Sequence, residues 1–239
     1  MKKLISIAVF AVFSASSAMS AGLSPSVGVS LNASAFAGQG TEKNYDEAGT
    51  FNDSTTEYGA FAEEFGSVFV ELGLGDNFSI GLDHVPGSIE SPKNFSREGT
   101  KGSSDTMNPD QSSVQVDFEE LTTIYLKANV PMLGGTYIKA GIAQVDIKVN
   151  ESMASGNTYA DKSTDGYVAA IGYNFDLDTM GLSIRTEVMA HTFEAVKTDN
   201  GVVLGAGTAA EQSASGGRNE ITVDEMFGAR ATISLVKSF

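Results

Sequence analysis

The sequence predicts an all-β chain, an eight-stranded antiparallel transmembrane β-barrel of up-and-down meander topology. Three observations predict it. First, apolar and polar residues alternate to the C-terminus: Phe227, Ala229, Ala231, Ile233, Leu235 and Phe239 share one face, and Gly228, Arg230, Thr232 and Ser234 share the other. A strand with lipid on one side and a polar lumen on the other alternates in this way. Second, beyond the N-terminus no apolar run is long enough for a helical span, and without helices a membrane-spanning sheet must close, because lipid cannot satisfy open backbone groups. Third, three short turns and four long polar stretches divide the chain into eight strands.

The first element is of a different kind. Lys2 and Lys3 precede an apolar run from Leu4 to Phe13, and Ala18-Met19-Ser20 is a small-x-small cleavage site. Residues 1–20 therefore read as a secretory signal peptide and residues 21–239 as one barrel domain. A membrane helix would need roughly 20 apolar residues, and Ser14, Ser16 and Ser17 break this run.

The strands follow by parity. The first, about 26–37, puts Val27, Val29, Leu31, Ala33 and Ala35 on one face. The second, about 64–74, puts Val68, Val70, Leu72 and Leu74 outward, and the third, about 78–86, Phe78, Ile80 and Leu82. The fourth, about 114–130, has Thr122, Ile124, Leu126, Ala128 and Val130 outward. The fifth, about 136–149, has Ile138, Ala140 and Ile142; the sixth, about 166–175, Tyr167, Ala169, Ile171, Tyr173 and Phe175. The seventh, about 181–193, has Leu182, Ile184, Thr186, Val188 and Ala190, and the eighth runs about 223–239. In the fifth strand the apolar set shifts to Val145, Ile147 and Val149. Either a bulge near Ala143-Gln144 or departure from the membrane accounts for that shift.

The short turns are Gly75-Asp76-Asn77, Pro131 to Gly135 and Asp176 to Met180; the long stretches are 38–64, 87–112, 150–165 and 194–222. Barrels of the bacterial outer membrane have short periplasmic turns and long extracellular loops, which puts both termini on the periplasmic side. Charge on the outward faces is confined to the expected interfaces, at Glu64, Glu120 and Lys237. Outward aromatics form two girdles, with Phe78, Tyr173, Phe175 and Phe239 near the turns and Tyr167, Phe118 and Phe227 near the loops.

The inward faces carry Glu71, Asp83, Lys127, Lys139, Arg185, Glu187 and Arg230. Eight strands enclose just enough room for side chains to fill, and unpaired charges there are costly. A salt-bridge network follows, with Arg185 and Arg230 as multi-donor hubs and Glu187 as their near neighbour. It reads as a polar plug rather than an ion path.

The terminal Phe239 with Ile233 and Leu235, the rhythm of turns and loops, and the charged lumen resemble the small eight-stranded outer-membrane barrels: the OmpA-like transmembrane domain and opacity-protein-like surface antigens. The resemblance covers the mature chain. It implies insertion by the barrel assembly machinery, with Phe239 as the assembly signal. Lys237 departs from the pattern, since an apolar or aromatic residue is usual there, and a snorkelling side chain accommodates it. The periplasmic cell-wall-binding domain of full-length OmpA has no counterpart, so cell-wall tethering is not implied.

Composition narrows the function classes. Loss of Lys2 and Lys3 takes the net charge from −15 to −17, which excludes nucleic acid as a partner. Cysteine is absent. Neither His84 nor His191 is followed two residues later by Ser, so the His-Ser arrangement of lipid A-modifying barrels is not local here. The first long stretch carries Glu42, Asp46, Glu47, Asp53, Glu57, Glu63 and Glu64 against Lys43 alone, without calcium-loop spacing. In the fourth, Asn200-Gly201 signals a hairpin. The paired glycines 73 and 75, and 205 and 207, lack the third glycine of a dinucleotide site. No catalytic residue, metal or cofactor is expected. The partners expected are outer-membrane lipid, lipopolysaccharide and an extracellular ligand held by the loops. The role expected is structural or surface-interacting, by adhesion or shielding; the alternatives are a narrow passive channel and a lipid A-modifying enzyme.

Overall fold

A computed structural model describes residues 23–46, 48–97, 111–152, 158–177, 180–202, 217–224 and 226–239. Residues 1–20, which the sequence reads as a signal peptide, lie outside them. The strands are β1 (Leu23–Tyr45), β2 (Phe51–Leu74), β3 (Phe78–His84), β4 (Ile89–Glu90), β5 (Asn94–Arg97), β6 (Gln111–Asn129), β7 (Thr136–Ser152), β8 (Lys162–Asp176), β9 (Leu182–Phe193), β10 (Val196–Asp199), β11 (Asn219–Val223) and β12 (Met226–Ser238). Eight of them close a ring in the order β1-β12-β9-β8-β7-β6-β3-β2 and back to β1, every pair antiparallel. First and last strands meet from Ser26↔Ser238 to Ala37↔Phe227, leaving no edge within the ring.

Alternation fixes which face of each strand looks out. Leu31, Leu126, Ile142, Val188 and Leu235 are at least half exposed on the outer wall, while their neighbours along the strand turn inward. This uncharged belt is the surface that hydrocarbon covers. The outward aromatics Phe78, Tyr173, Phe175, Tyr167, Phe227 and Phe239 lie on it. Phe118 does not. It is buried inside the barrel, because a register shift between Glu119 and Thr122, with Glu120 at φ 56°, inserts a bulge into β6 and reverses the parity above it.

In β7, alternation runs unbroken, with no bulge near Ala143-Gln144. Val145 and Ile147 point inward, while Gln144 and Asp146 take the outer face, where the lipid-covered belt has ended.

Where they are described, the long polar stretches are more ordered than their composition suggests. Residues 38–45 and 51–64 form the outer half of a β1–β2 hairpin, paired from Leu23↔Leu74 to Tyr45↔Phe51. In the second stretch β4 and β5 pair with β6. In the fourth, β10 does not fold back at Asn200-Gly201; it pairs with β11, which in turn pairs with β1.

The interior is layered along the barrel axis. Toward the loops lies an apolar layer of Phe36, Phe118, Leu121, Val145, Met189, Phe193 and Met226, with Phe61 packed against it. The rings of Phe36, Phe61 and Phe118 cluster with centroids 5.4–5.7 Å apart, Phe61 stacked on Phe118 and Phe36 tilted against both. Toward the turns lies the charged layer. Several inward rings sit directly across from a glycine on the next strand: Phe69 opposite Gly28, Tyr125 between Gly81 and Gly141, Tyr137 opposite Gly172, and Phe36 opposite Gly228. A methyl group at Gly81 would run into the Tyr125 ring, and one at Gly172 into Tyr137. Glycine is what lets a ring lie flat against a neighbouring backbone.

Candidate functional site: the charged lumen

All seven predicted lumen residues are buried inside the ring. They divide into two groups. In the larger, Glu71 on β2 accepts two bonds from Arg185 on β9, at 2.6 and 3.0 Å, and a third from Lys127 at 2.5 Å. Glu187 pairs with Lys139 at 2.7 Å. Two tyrosines knit the pairs together, Tyr125 donating to Glu71 and Tyr137 to Glu187, each at 2.8 Å. The cations also lie over rings: Lys139 4.3 Å from the centre of Tyr125, and Arg185 5.1 Å from Phe69 and 5.2 Å from Tyr137. Both contacts offset part of the cost of burying charge inside the ring.

In the smaller group, Arg230 donates to Asp83 at 3.1 Å. Ser67 donates to the other Asp83 oxygen, and Asn32 to Ser67, both at 3.1 Å; Thr232 donates to Asn32 at 2.8 Å. The chain of bonds satisfies Asp83 from β2 and β12 at once.

Arg230 therefore does not partner Glu187, although their strands are adjacent. Thr232, not Arg230, stands across from Glu187 in the β12–β9 register. Tyr125 and Tyr137 join the network without a signal in their own residue types; their sign in the sequence is inward parity beside glycine.

The histidines are apart from this network. His191 is buried in the apolar layer, stacked on Phe193 at 6.0 Å, with neither ring nitrogen hydrogen-bonded. His84 is also buried: Nδ1 lies 3.0 Å from the Thr122 hydroxyl, which itself donates to the Glu120 carbonyl. With its proton given to that carbonyl, Thr122 is not set up as a nucleophile toward His84. Among the described residues no three His, Cys, Asp or Glu converge to hold a metal.

At the loop end, Arg218 bridges Asp199 at 2.9 Å and Glu220 at 3.7 Å, and Lys197 meets Glu220 at 2.6 Å. The Gly201 backbone N–H, then Arg218, holds the Asp199 carboxyl below its usual range. At the turn end the barrel opens into a vestibule of about 660 Å³. Its floor is Lys127, Tyr137 and Arg185, and its wall includes Ser24, Ser79, Asn174 and Ser183.

These features define a class: a small, closed, eight-stranded antiparallel barrel of the outer-membrane type, with an uncharged belt outside and a lumen filled by paired charges and packed rings. No family model matches the chain, and no curated protein matches it. It is similar to the solved structures of the outer membrane protein AlkL, at 14% identity over 90% of each chain with a TM-score of 0.40. It is similar also to OprG from Pseudomonas aeruginosa, at 10% identity over 86% of this chain and 95% of that one, with a TM-score of 0.43. A third similar structure is the outer membrane protease OmpT from Escherichia coli, at 10% identity over 90% of this chain and 97% of that one, with a TM-score of 0.41.

Proposed function

We propose that this chain is a structural, surface-displaying barrel of the outer membrane, with termini periplasmic and hairpins extracellular. It meets its surroundings through those hairpins, by adhesion or shielding, and not by conduction through its lumen. The observation that carries the reading is the stacked interior. A salt-bridged layer at the turn end and a packed aromatic layer at the loop end leave the bore filled twice over. A filled bore suits a scaffold better than a conduit. The β1–β2 hairpin supports the same reading, since it carries exposed Phe51 and Tyr58 and a one-sided acidic charge well beyond the belt.

Planar-bilayer recording tests the closed lumen, with negligible conductance expected. Replacing residues 42–56 by a tight turn tests the surface role. The barrel should assemble at normal levels, while cells displaying it change in adhesion or in the shielding of neighbouring surface antigens. A stable, large conductance, or unaltered surface behaviour without the hairpin, overturns the respective half.

A further inference from the structure

The larger charge group does not balance. Lys127, Lys139 and Arg185 face only Glu71 and Glu187, whereas Asp83 and Arg230 balance each other separately. One positive charge is left over inside the ring, where an uncompensated charge is costly.

The surplus is not evenly placed. Of these five charged groups only Lys127 and Arg185 line the vestibule; both carboxylates stand behind them. Lys127 keeps donors in reserve: its Nζ, with three hydrogens, makes one bond to Glu71. The floor of the cavity is thus cationic and holds spare ammonium N–H groups, which is what an oxyanion requires.

The wall has a different chemistry. Hydroxyls come from Ser24, Ser26, Ser79, Thr136 and Ser183. Such a lining pairs with a polyhydroxylated body better than with an apolar one. The volume of about 660 Å³ is far more than a bare anion needs and within the range of small-molecule sites. Asp76 and Asp176 stand at the rim, where salt screens their repulsion over about 10 Å at 0.1 M.

We infer that the vestibule binds a small phosphorylated sugar, its phosphate against Lys127 and Arg185 and its hydroxyls against the serine-rich wall. Entry is from the turn end. The inference goes beyond the surface role and shares with it only the filled lumen above the floor.

Calorimetric titration of the folded barrel in uncharged detergent at about 0.1 M salt, where the rim carboxylates are screened, tests it, with glucose 6-phosphate, inorganic phosphate and glucose as probes. Glucose 6-phosphate should bind saturably at one site, inorganic phosphate at least about tenfold more weakly, and glucose not at all. Lys127→Met should weaken binding by about tenfold or more, as loss of a charge-assisted bond does. Ser183→Leu projects into the cavity without touching an ion pair and should abolish binding; it decides the matter if Lys127→Met fails to fold. Absence of saturable heat with every probe means water alone fills the vestibule and overturns the inference. So does binding that survives Ser183→Leu, or glucose binding as well as its phosphate. Equal affinity for inorganic phosphate overturns the sugar assignment. Bilayer recording separates the two readings: a conducting barrel with Ser183-sensitive binding sinks the filled lumen and keeps the vestibule, and a silent barrel without heat does the reverse.

Discussion

Arg185 and Glu71 form a two-point ion pair across the lumen, joining strands that stand three places apart around the ring. Each guanidinium nitrogen of the fork meets its own carboxylate oxygen, the geometry that distinguishes arginine from lysine. Glu71 also holds Lys127 and Tyr125. Its removal leaves two cations and a hydroxyl without their acceptor, so Glu71→Ala should destabilise the barrel by about 3–5 kcal/mol. Urea unfolding in lipid vesicles checks this; a loss below about 1 kcal/mol would mean that water replaces the carboxylate at little cost.

The two charge groups should behave as separate units. Arg230→Ala and Asp83→Ala remove two ends of one bond, so their costs in a double mutant should fall short of the sum by about 0.5–3 kcal/mol. Arg230→Ala with Glu187→Ala touches both groups and should be additive within about 0.5 kcal/mol. Unfolding midpoints of the single and double variants decide it, and strong coupling of Arg230 to Glu187 would contradict the partners seen here.

Acid should loosen the loop end first at Asp199. Its carboxyl titrates below the ordinary value of 3.8 because Gly201 and Arg218 favour the ionised form. A depressed pKa stabilises the folded state above the unfolded value and loses that contribution as pH falls through the folded one. Hydrogen exchange of β10 and β11 amides should therefore accelerate, relative to β8 and β9, as pH drops below about 4, and Asp199→Asn should remove the difference. Solvent exposure of the pair makes the effect local rather than global.

Deletion of Phe239 should reduce assembled barrel more than shortening the β1–β2 hairpin does. The Phe239 N–H donates to Pro25 at the seam of first and last strands, and its ring lies under Lys237, which bonds the Met180 carbonyl. Heat-modifiable migration in detergent gels quantifies folded protein. Equal yields for the two variants would remove Phe239 from assembly.

The belt, the short turns and the inward charges are legible in the sequence, because within the membrane each strand separates an apolar face from a polar one. Above the belt the contrast vanishes. In residues 51–60 both faces are exposed, so parity carries no information and a paired strand looks like a loop. The bulge at Glu119–Thr122 has no glycine or proline to announce it, and Phe118 lands on the wrong side for that reason. Partner choice inside the lumen was illegible for another reason. Seven inward charges can be read one strand at a time, but whether Glu71 meets Arg185 or Lys139 depends on which heights face each other across the ring. Closure and stagger decide that, and they belong to no single strand.

The pairing of rings with glycines bears on how the sheet finds its alignment. A slip of one residue turns every face inside out and is rejected by lipid, but a slip of two keeps each face where it was. Hydrophobic patterning is blind to that error. Tyr125 is not: moved by two residues along β3 it would lie over Ser79 or Asp83 instead of Gly81, and along β7 over Lys139 or Ala143 instead of Gly141. Its hydroxyl would then miss Glu71. The glycines thus serve as index marks: each ring seats only where its own gap comes round, so the assembling sheet has a gauge for the even-numbered misalignments that the membrane cannot detect.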